Sequence, residues 1–406
     1  MIQQGNLSGF WKGIAAALSL SVAALGAGCD SGETQSSGGA GGTGGQAGGG
    51  TGGVGGAEPP AETFGCSDDV KLYETPSDPA ARGPWPVGVK TAQVGELTTE
   101  VWYPAELSSE KGKEKEVYDL RQWLPDSEKS KIPDDAAPSQ ECGCFRDLPI
   151  DAAHGPYPVV VFIHGTAGFR TQSLAHMEHW ASRGFVVISA DYPGLYLADA
   201  LDLKFGANLP EDTTTLLDAL AAPSGDLAFL AGRIDMTHVG MSGHSAGGGG
   251  ISGFGATPGV RVLMPLAAGG ADPSPTLEST LVMGGQNDQV VDYSKQVEGY
   301  DASGPHKRLV GVANTGHLFP TDLCWMTNPQ GQDIVETAQM YQVKNAGFAS
   351  ALFDCPEGQL ARDKARDIVN YATTAALEES LTCKAGDPFA ELQALHPDVF
   401  EYKETK

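Results

Sequence analysis

The chain has 406 residues, enough for one large domain or two ordinary ones, and 41% of them are hydrophobic, so a full core can be buried without help from a metal. Acidic residues outnumber basic ones 51 to 26, a formal net charge of −25. A surface of that sign favours solubility and repels nucleic acid and anionic membranes, which speaks against both as partners.

Lys12 precedes an apolar, Ala-rich run from Ile14 to Leu25, and Gly26-Ala27-Gly28 then leads directly to Cys29. The run is too short for a transmembrane helix and suits a secretory signal. Small residues before a Cys resemble a bacterial lipobox. That resemblance implies cleavage before Cys29 and acylation of its sulfur; an ordinary signal peptide cut nearby is the alternative. Residues 1–28 therefore read as a lipoprotein-type signal peptide. Residues 29–62 read as a flexible tether, because Ser31 to Pro60 is dominated by glycine and has no apolar periodicity. Residues 63–406 read as the folded domain. The expected location is outside the cytoplasm, as a cell-envelope lipoprotein on a periplasmic or surface face or as a secreted protein, with the N-terminal lipid as the only contact with membrane. Six further cysteines, Cys66, Cys142, Cys144, Cys324, Cys355 and Cys383, fit that compartment. They suggest disulfides that staple the N-terminal extension and the C-terminal segment to the core, with 15 connectivities open. None has metal-ligand spacing with a His, so no metal site is expected on them.

Within the domain, Leu97 to Tyr103 alternates and is rich in β-formers, which predicts a strand. Glu110 to Pro138 is charged and punctuated by proline, which suits a surface excursion. Tyr157 to Ile163 is a short continuous apolar run, as in a strand buried on both faces of a parallel sheet. Ser173 to Arg183 predicts a helix and Phe185 to Ala190 another buried strand. Asp212 to Leu230 has helical spacing, and Met236 to Met241 is a strand leading into a glycine-rich turn. Arg261 to Leu266, Thr280 to Met283 and Arg308 to Val312 are further strands, and Asp363 to Ser380 is a terminal helix. Strands alternating with helices predict an α/β fold, a mostly parallel central sheet flanked by helices.

Gly243-His244-Ser245-Ala246-Gly247 matches G-x-S-x-G between a buried strand and a helix. A nucleophile on so tight a turn needs small residues two places to either side, and Gly243 and Gly247 supply them. A serine also needs a positioned base, itself oriented by an acid. In this arrangement the chain order is Ser, then acid, then His. Asp288 follows one late strand and His317 follows the next, so Ser245, Asp288 and His317 are the candidate catalytic triad. Asp292, deeper in the following segment, and His306, ahead of its strand, are the competitors. His244 and His238 read as structural. The two oxyanion donors should be the backbone N–H groups of Ala246, after the nucleophile, and of Thr166, in the loop His164-Gly165-Thr166-Ala167-Gly168.

Taken in order, Gly83 to Val89, Trp102-Tyr103-Pro104-Ala105, the loop His164 to Arg170 and the elbow Gly243 to Gly247 resemble proteins of the platelet-activating-factor acetylhydrolase and dienelactone hydrolase group. The resemblance covers roughly residues 84 to 317. It implies the α/β-hydrolase fold and hydrolysis of short or oxidised acyl esters without a cofactor. Dienelactone hydrolases proper use a Cys nucleophile where this chain has Ser245. The four glycines Gly247 to Gly250 also resemble the elbow of bacterial cutinase-like polyester hydrolases, but Pro265-Leu266-Ala267-Ala268-Gly269-Gly270 lacks their aromatic residue. The expected function is a serine carboxylic-ester hydrolase for small or medium acyl esters. A polyester hydrolase, a peptidase of the same fold and a non-catalytic surface lipoprotein are the alternatives.

Overall fold

The computed structural model describes residues 59–406. The expected signal peptide, Cys29 and nearly all of the tether lie outside them. The core is a ten-stranded sheet. In chain order its strands are β1 (Val87–Val94), β2 (Leu97–Pro104), β3 (Phe145–Arg146), β4 (Tyr157–Ile163), β5 (Val186–Asp191), β6 (Ile234–His244), β7 (Val260–Leu266), β8 (Ser279–Gly285), β9 (Lys307–Val312) and β10 (Val399–Thr405). Their order across the sheet is β10-β9-β8-β7-β6-β4-β5-β2-β1-β3. The strands from β5 through β4 and β6 to β9 are mutually parallel, while β2 and β10 pair antiparallel to their neighbours.

Continuous apolar runs form the middle of the sheet because both faces are covered. In β4, Val159, Val161 and Ile163 join one core and Val160 and Phe162 the other. Helices α1 (Leu174–Ser182) and α5 (Arg362–Leu381) cover the second face, and α2 (Leu209–Ala221) packs over the first. The short α3 (Ala246–Gly250) follows β6, and α4 (Tyr293–Ala302) packs Tyr300 on Val282 of β8 and Leu309 of β9.

Three expectations change. The helical stretch from Asp212 to Leu230 is divided: α2 ends at Ala221 and a 3-10 turn runs over Gly225–Leu230, with Pro223 between them. The excursion from Glu110 to Pro138 is not confined to the surface. Its Tyr118, Leu120 and Trp123 are buried in the second core, and its short strand Val117–Asp119 pairs with Ser139–Glu141. Strand β10 was not anticipated, since Glu401, Lys403 and Glu404 give it the polar look of a tail. Such charges are what an edge strand uses to discourage further pairing.

All six described cysteines are paired. Cys66–Cys383 joins the start of the domain to the end of α5, across 317 residues, as expected of a staple between the two termini. Cys324–Cys355 closes a loop of the C-terminal segment, and Cys142–Cys144 is a local bond. No described helix is long and apolar enough to cross a membrane.

Candidate active site

Ser245 lies between β6 and α3, with φ +54° and ψ −120°. A side chain tolerates this conformation only where its surroundings impose it. The glycines impose it here. A Cβ on Gly247 would lie 2.1 Å from the Ile163 carbonyl oxygen, and one on Gly243 would lie 2.4 Å from the Gly247 backbone. The Ser245 N–H donates to the Leu266 carbonyl (2.9 Å), which ties the elbow to the adjacent strand β7.

Asp288 and His317 follow β8 and β9, at the same edge of the parallel strands. The His317 Nε2 is 2.8 Å from Ser245 Oγ, and its Nδ1 is 2.9 Å from Asp288 Oδ2. A carboxylate only accepts, so Nδ1–H donates to Asp288 and the Nε2 lone pair is left facing the hydroxyl. Asp288 is buried and well solvated by the protein. Its Oδ1 accepts from the N–H groups of Val290 (2.9 Å) and Val291 (2.8 Å), and Oδ2 also accepts from Gln296 Nε2 (3.0 Å). Such an array holds the carboxylate in place beside the imidazole and fixes that imidazole's tautomer.

Of the competitors, Asp292 caps α4, its carboxylate accepting from the Ser294 N–H (2.8 Å). His306 precedes β9 at the opposite edge of the sheet. His238 sits in the irregular stretch of β6, bonded to Asp235 (2.6 Å).

The loop after β4 meets the elbow directly. A Cβ on Gly165 would come within 2.8 Å of His244 Nδ1 and 3.2 Å of the Ser245 Cβ. The Ala167 N–H is used by the Leu195 carbonyl (2.8 Å) and the Gly168 N–H by the Gly165 carbonyl (3.0 Å). Among the described residues the N–H groups of Thr166 and Ala246 have no such acceptor. Two free amides beside a nucleophile can receive the charge that develops on an acyl oxygen. The far end of this loop is locked by charge. The Arg170 guanidinium pairs with Glu100 of β2 (3.2 Å) and with Asp191 of β5, and it lies over the Trp123 ring at 5.1 Å. The partly exposed Arg146 makes a second ion pair with the fully buried Glu100, so that carboxylate is not left uncompensated.

Several residues that support this arrangement carry no local sequence signal. Gln296, fully buried on α4, fits only because Gly284 has no side chain there: a Cβ would lie 1.3 Å from the Gln296 amide oxygen. His244 donates from Nε2 to the His317 carbonyl (3.0 Å). Burial, reinforced by the neighbouring His317, pushes the His244 pKa well down, so it stays neutral and does not repel a protonated His317. Gln172 reaches back to the Gly165 N–H (3.4 Å). A glycine at the end of one strand is the only trace Gln296 leaves, and the x of G-x-S-x-G the only trace of His244.

An apolar pocket, partly open to solvent, lies beside the loop, with Phe169 and Leu197 in its wall. Leu120, Leu124 and Ile132 line it from the excursion, and Ile334, Ala338 and Ala349 from the C-terminal segment. The Leu197 N–H donates to the Gly168 carbonyl (2.8 Å), so this wall and the loop share backbone bonds.

Residues 74–193 match the family of platelet-activating factor acetylhydrolase, isoform II. No curated protein matches the chain significantly. Among solved structures, a ferulic acid esterase from Streptomyces cinnamoneus superposes with a TM-score of 0.51 at 17% identity, covering 81% of this chain and 98% of its own. At that identity the likeness concerns the fold. The chain therefore shares the α/β fold of that structure, and its residues 74–193 match the acetylhydrolase family.

Proposed function

We propose that Ser245, His317 and Asp288 act as a catalytic triad that hydrolyses small or medium acyl esters through an acyl-enzyme. The observation that carries this reading is the double bonding of one imidazole, to the Ser245 hydroxyl and to a buried carboxylate. As Ser245 Oγ attacks the ester carbon, His317 Nε2 takes its proton and Asp288 offsets the charge of the imidazolium. The tetrahedral oxyanion is received by the N–H groups of Thr166 and Ala246. His317 then returns the proton to the departing alcohol. In the second half a water gives its proton to His317 and attacks the acyl carbon; the new tetrahedral species expels Ser245 Oγ, which takes that proton back from His317 as the acid leaves. No step calls on a cofactor. The apolar cavity next to the loop supports a medium acyl chain as substrate.

The three disulfides suit an oxidising compartment. We place the protein outside the cytoplasm, tethered through a lipid on Cys29.

The test is hydrolysis of p-nitrophenyl esters from acetate to decanoate by the oxidised full-length protein beside Ser245→Ala. Removing the nucleophile should lower kcat by roughly 10⁶ on the best ester. Equal activity in both proteins would overturn the assignment. An optimum at acetate alone would remove the cavity as an acyl site.

A further inference from the structure

We propose that Asp354 is a positioning residue for this reaction, one carboxylate oxygen of which ties the loop of the acid to the backbone of the histidine, and that the Cys324–Cys355 disulfide holds it in place. This rests on the reading of Ser245, His317 and Asp288 as a triad.

Asp354 Oδ2 accepts from the His317 N–H (2.8 Å) and from the N–H of Gln289 (3.1 Å), the residue after Asp288. The loops meet directly through the Asp288–His317 bond and through the Asn287 N–H, which donates to the Thr315 carbonyl (2.9 Å). Asp354 adds a tie from a third segment, at the residues that adjoin or carry the reacting groups. A charged acceptor shared by two N–H donors is among the stronger hydrogen bonds available, and here it steadies both loops at once. Errors of about 1 Å in the distance between them can cost 10²-fold in rate.

The approach is built into the histidine loop. A Cβ on Gly316 would lie 2.7 Å from the Asp354 carbonyl oxygen, 2.8 Å from Pro356 Cδ and 2.9 Å from Asp354 Oδ2. Only glycine lets residues 354–356 close on His317. On its other side His317 is held by His244 at its carbonyl, so both backbone polar groups of the catalytic histidine are taken by distant side chains.

Asp354 itself has little else to hold it. Backbone hydrogen bonds donated by residues 351–359 reach only two or three residues back. The first bond that leaves the segment is from the Leu360 N–H to the Asn314 carbonyl (2.8 Å). The disulfide supplies the missing anchor, since Cys355 adjoins Asp354. Its partner Cys324 follows Asp322, whose N–H donates to the Gln172 carbonyl (2.8 Å) and whose carboxylate accepts from the Ala175 N–H (3.0 Å). The tie therefore runs from the start of α1 through the disulfide to Asp354, and from there to both catalytic loops.

Full-length wild type, Asp354→Ala, Asp354→Asn, Cys324→Ser/Cys355→Ser, the Ala variant combined with the double Ser variant, and Ser245→Ala should be assayed on one p-nitrophenyl ester. The folded fraction at the assay temperature is followed by circular dichroism. Asp354→Ala should lower kcat by about 10- to 100-fold with KM within about twofold of wild type. Asp354→Asn can still accept both N–H bonds and should stay within about threefold of wild type. The cysteine variant should fall like Asp354→Ala, and the combination should fall no further, because both changes break one tie. Unchanged kcat in Asp354→Ala overturns the proposal. So does a loss that Asn does not rescue, or one that only follows the folded fraction. Additive losses overturn the part assigned to the disulfide. Hydrolysis that depends on Ser245 but not on Asp354 removes the positioning role alone, whereas equal hydrolysis by wild type and Ser245→Ala removes the triad and this proposal with it.

Discussion

Ser245, Asp288 and His317 each stand within five residues of the end of a buried parallel strand, whereas much of the apolar cavity is lined by two long segments, residues 105–144 and 318–361, that contribute no long strand to the sheet. The strand ends are fixed by backbone: close glycines, ladder bonds and one permitted turn. The two segments have only short ladders of their own and lean on side chains and disulfides, such as the Trp123 ring stacked on Phe169 at 4.4 Å and the Cys324–Cys355 bond. On the proposed reading, chemistry sits on the first kind of region, and the second shapes the space offered to the acyl chain. Changes at strand ends should therefore strike kcat on every ester, and changes in the two segments should strike the choice among esters.

The largest effect expected after loss of Ser245 tests the first half of that contrast. Asp288→Asn keeps the size of the side chain but offers an amide where His317 Nδ1–H now donates to a carboxylate. The imidazole tautomer is no longer enforced and its positive form is not stabilised. The kcat should fall by about 10⁴ for acetate and decanoate alike. A fall confined to one chain length would show that this loop shapes the pocket as well, and the contrast would fail.

A second, smaller effect tests the other half. Ala349 lines the cavity from the C-terminal segment. Ala349→Phe fills space there and leaves the catalytic loops untouched. The ratio of kcat/KM for decanoate over acetate should drop by about tenfold, with acetate within about twofold of wild type. An equal loss on both esters would mean that the cavity is not where the acyl chain goes.

The same contrast explains what could be read beforehand. Strand ends are legible because their signals are local. The apolar run Tyr157–Ile163, the elbow glycines and the Gly316-His317 pair each declare themselves within a few residues. The parallel sheet and the candidate triad followed from those runs and their order. Partners that meet across long separations were not legible. Asp354 reaches Gln289 over 65 residues, and Glu100 meets Arg170 over 70. No periodicity in residues 110–138 announced that Tyr118 and Trp123 would be buried, because their apolar faces are satisfied by elements elsewhere in the chain. A polar-looking edge strand, β10, is hidden for a different reason: past Val399 neither of its faces is fully buried, so no apolar row alternates with a polar one.

The smallest effect falls on the border between the acid loop and the helix behind it. Asp292 is four residues beyond Asp288, carries the same carboxylate and is the nearest rival for the acid's role by sequence. Its geometry assigns it other work. It accepts from the Ser294 N–H at the first turn of α4, where unpaired amides and the helix dipole favour a negative charge, and the Ser294 hydroxyl, then this N–H, lower its pKa. Asp292→Ala should leave kcat within about twofold of wild type on both esters while lowering Tm by about 2 °C. That pairing matters because α4 also carries Gln296, which donates to Asp288 from the next turn. If the cap governed the placement of Gln296, its loss would appear in kcat as well as in Tm, and the acid loop would extend one helical turn further than its hydrogen bonds indicate. A change in Tm alone puts the boundary between reaction and scaffold between Asp288 and Asp292.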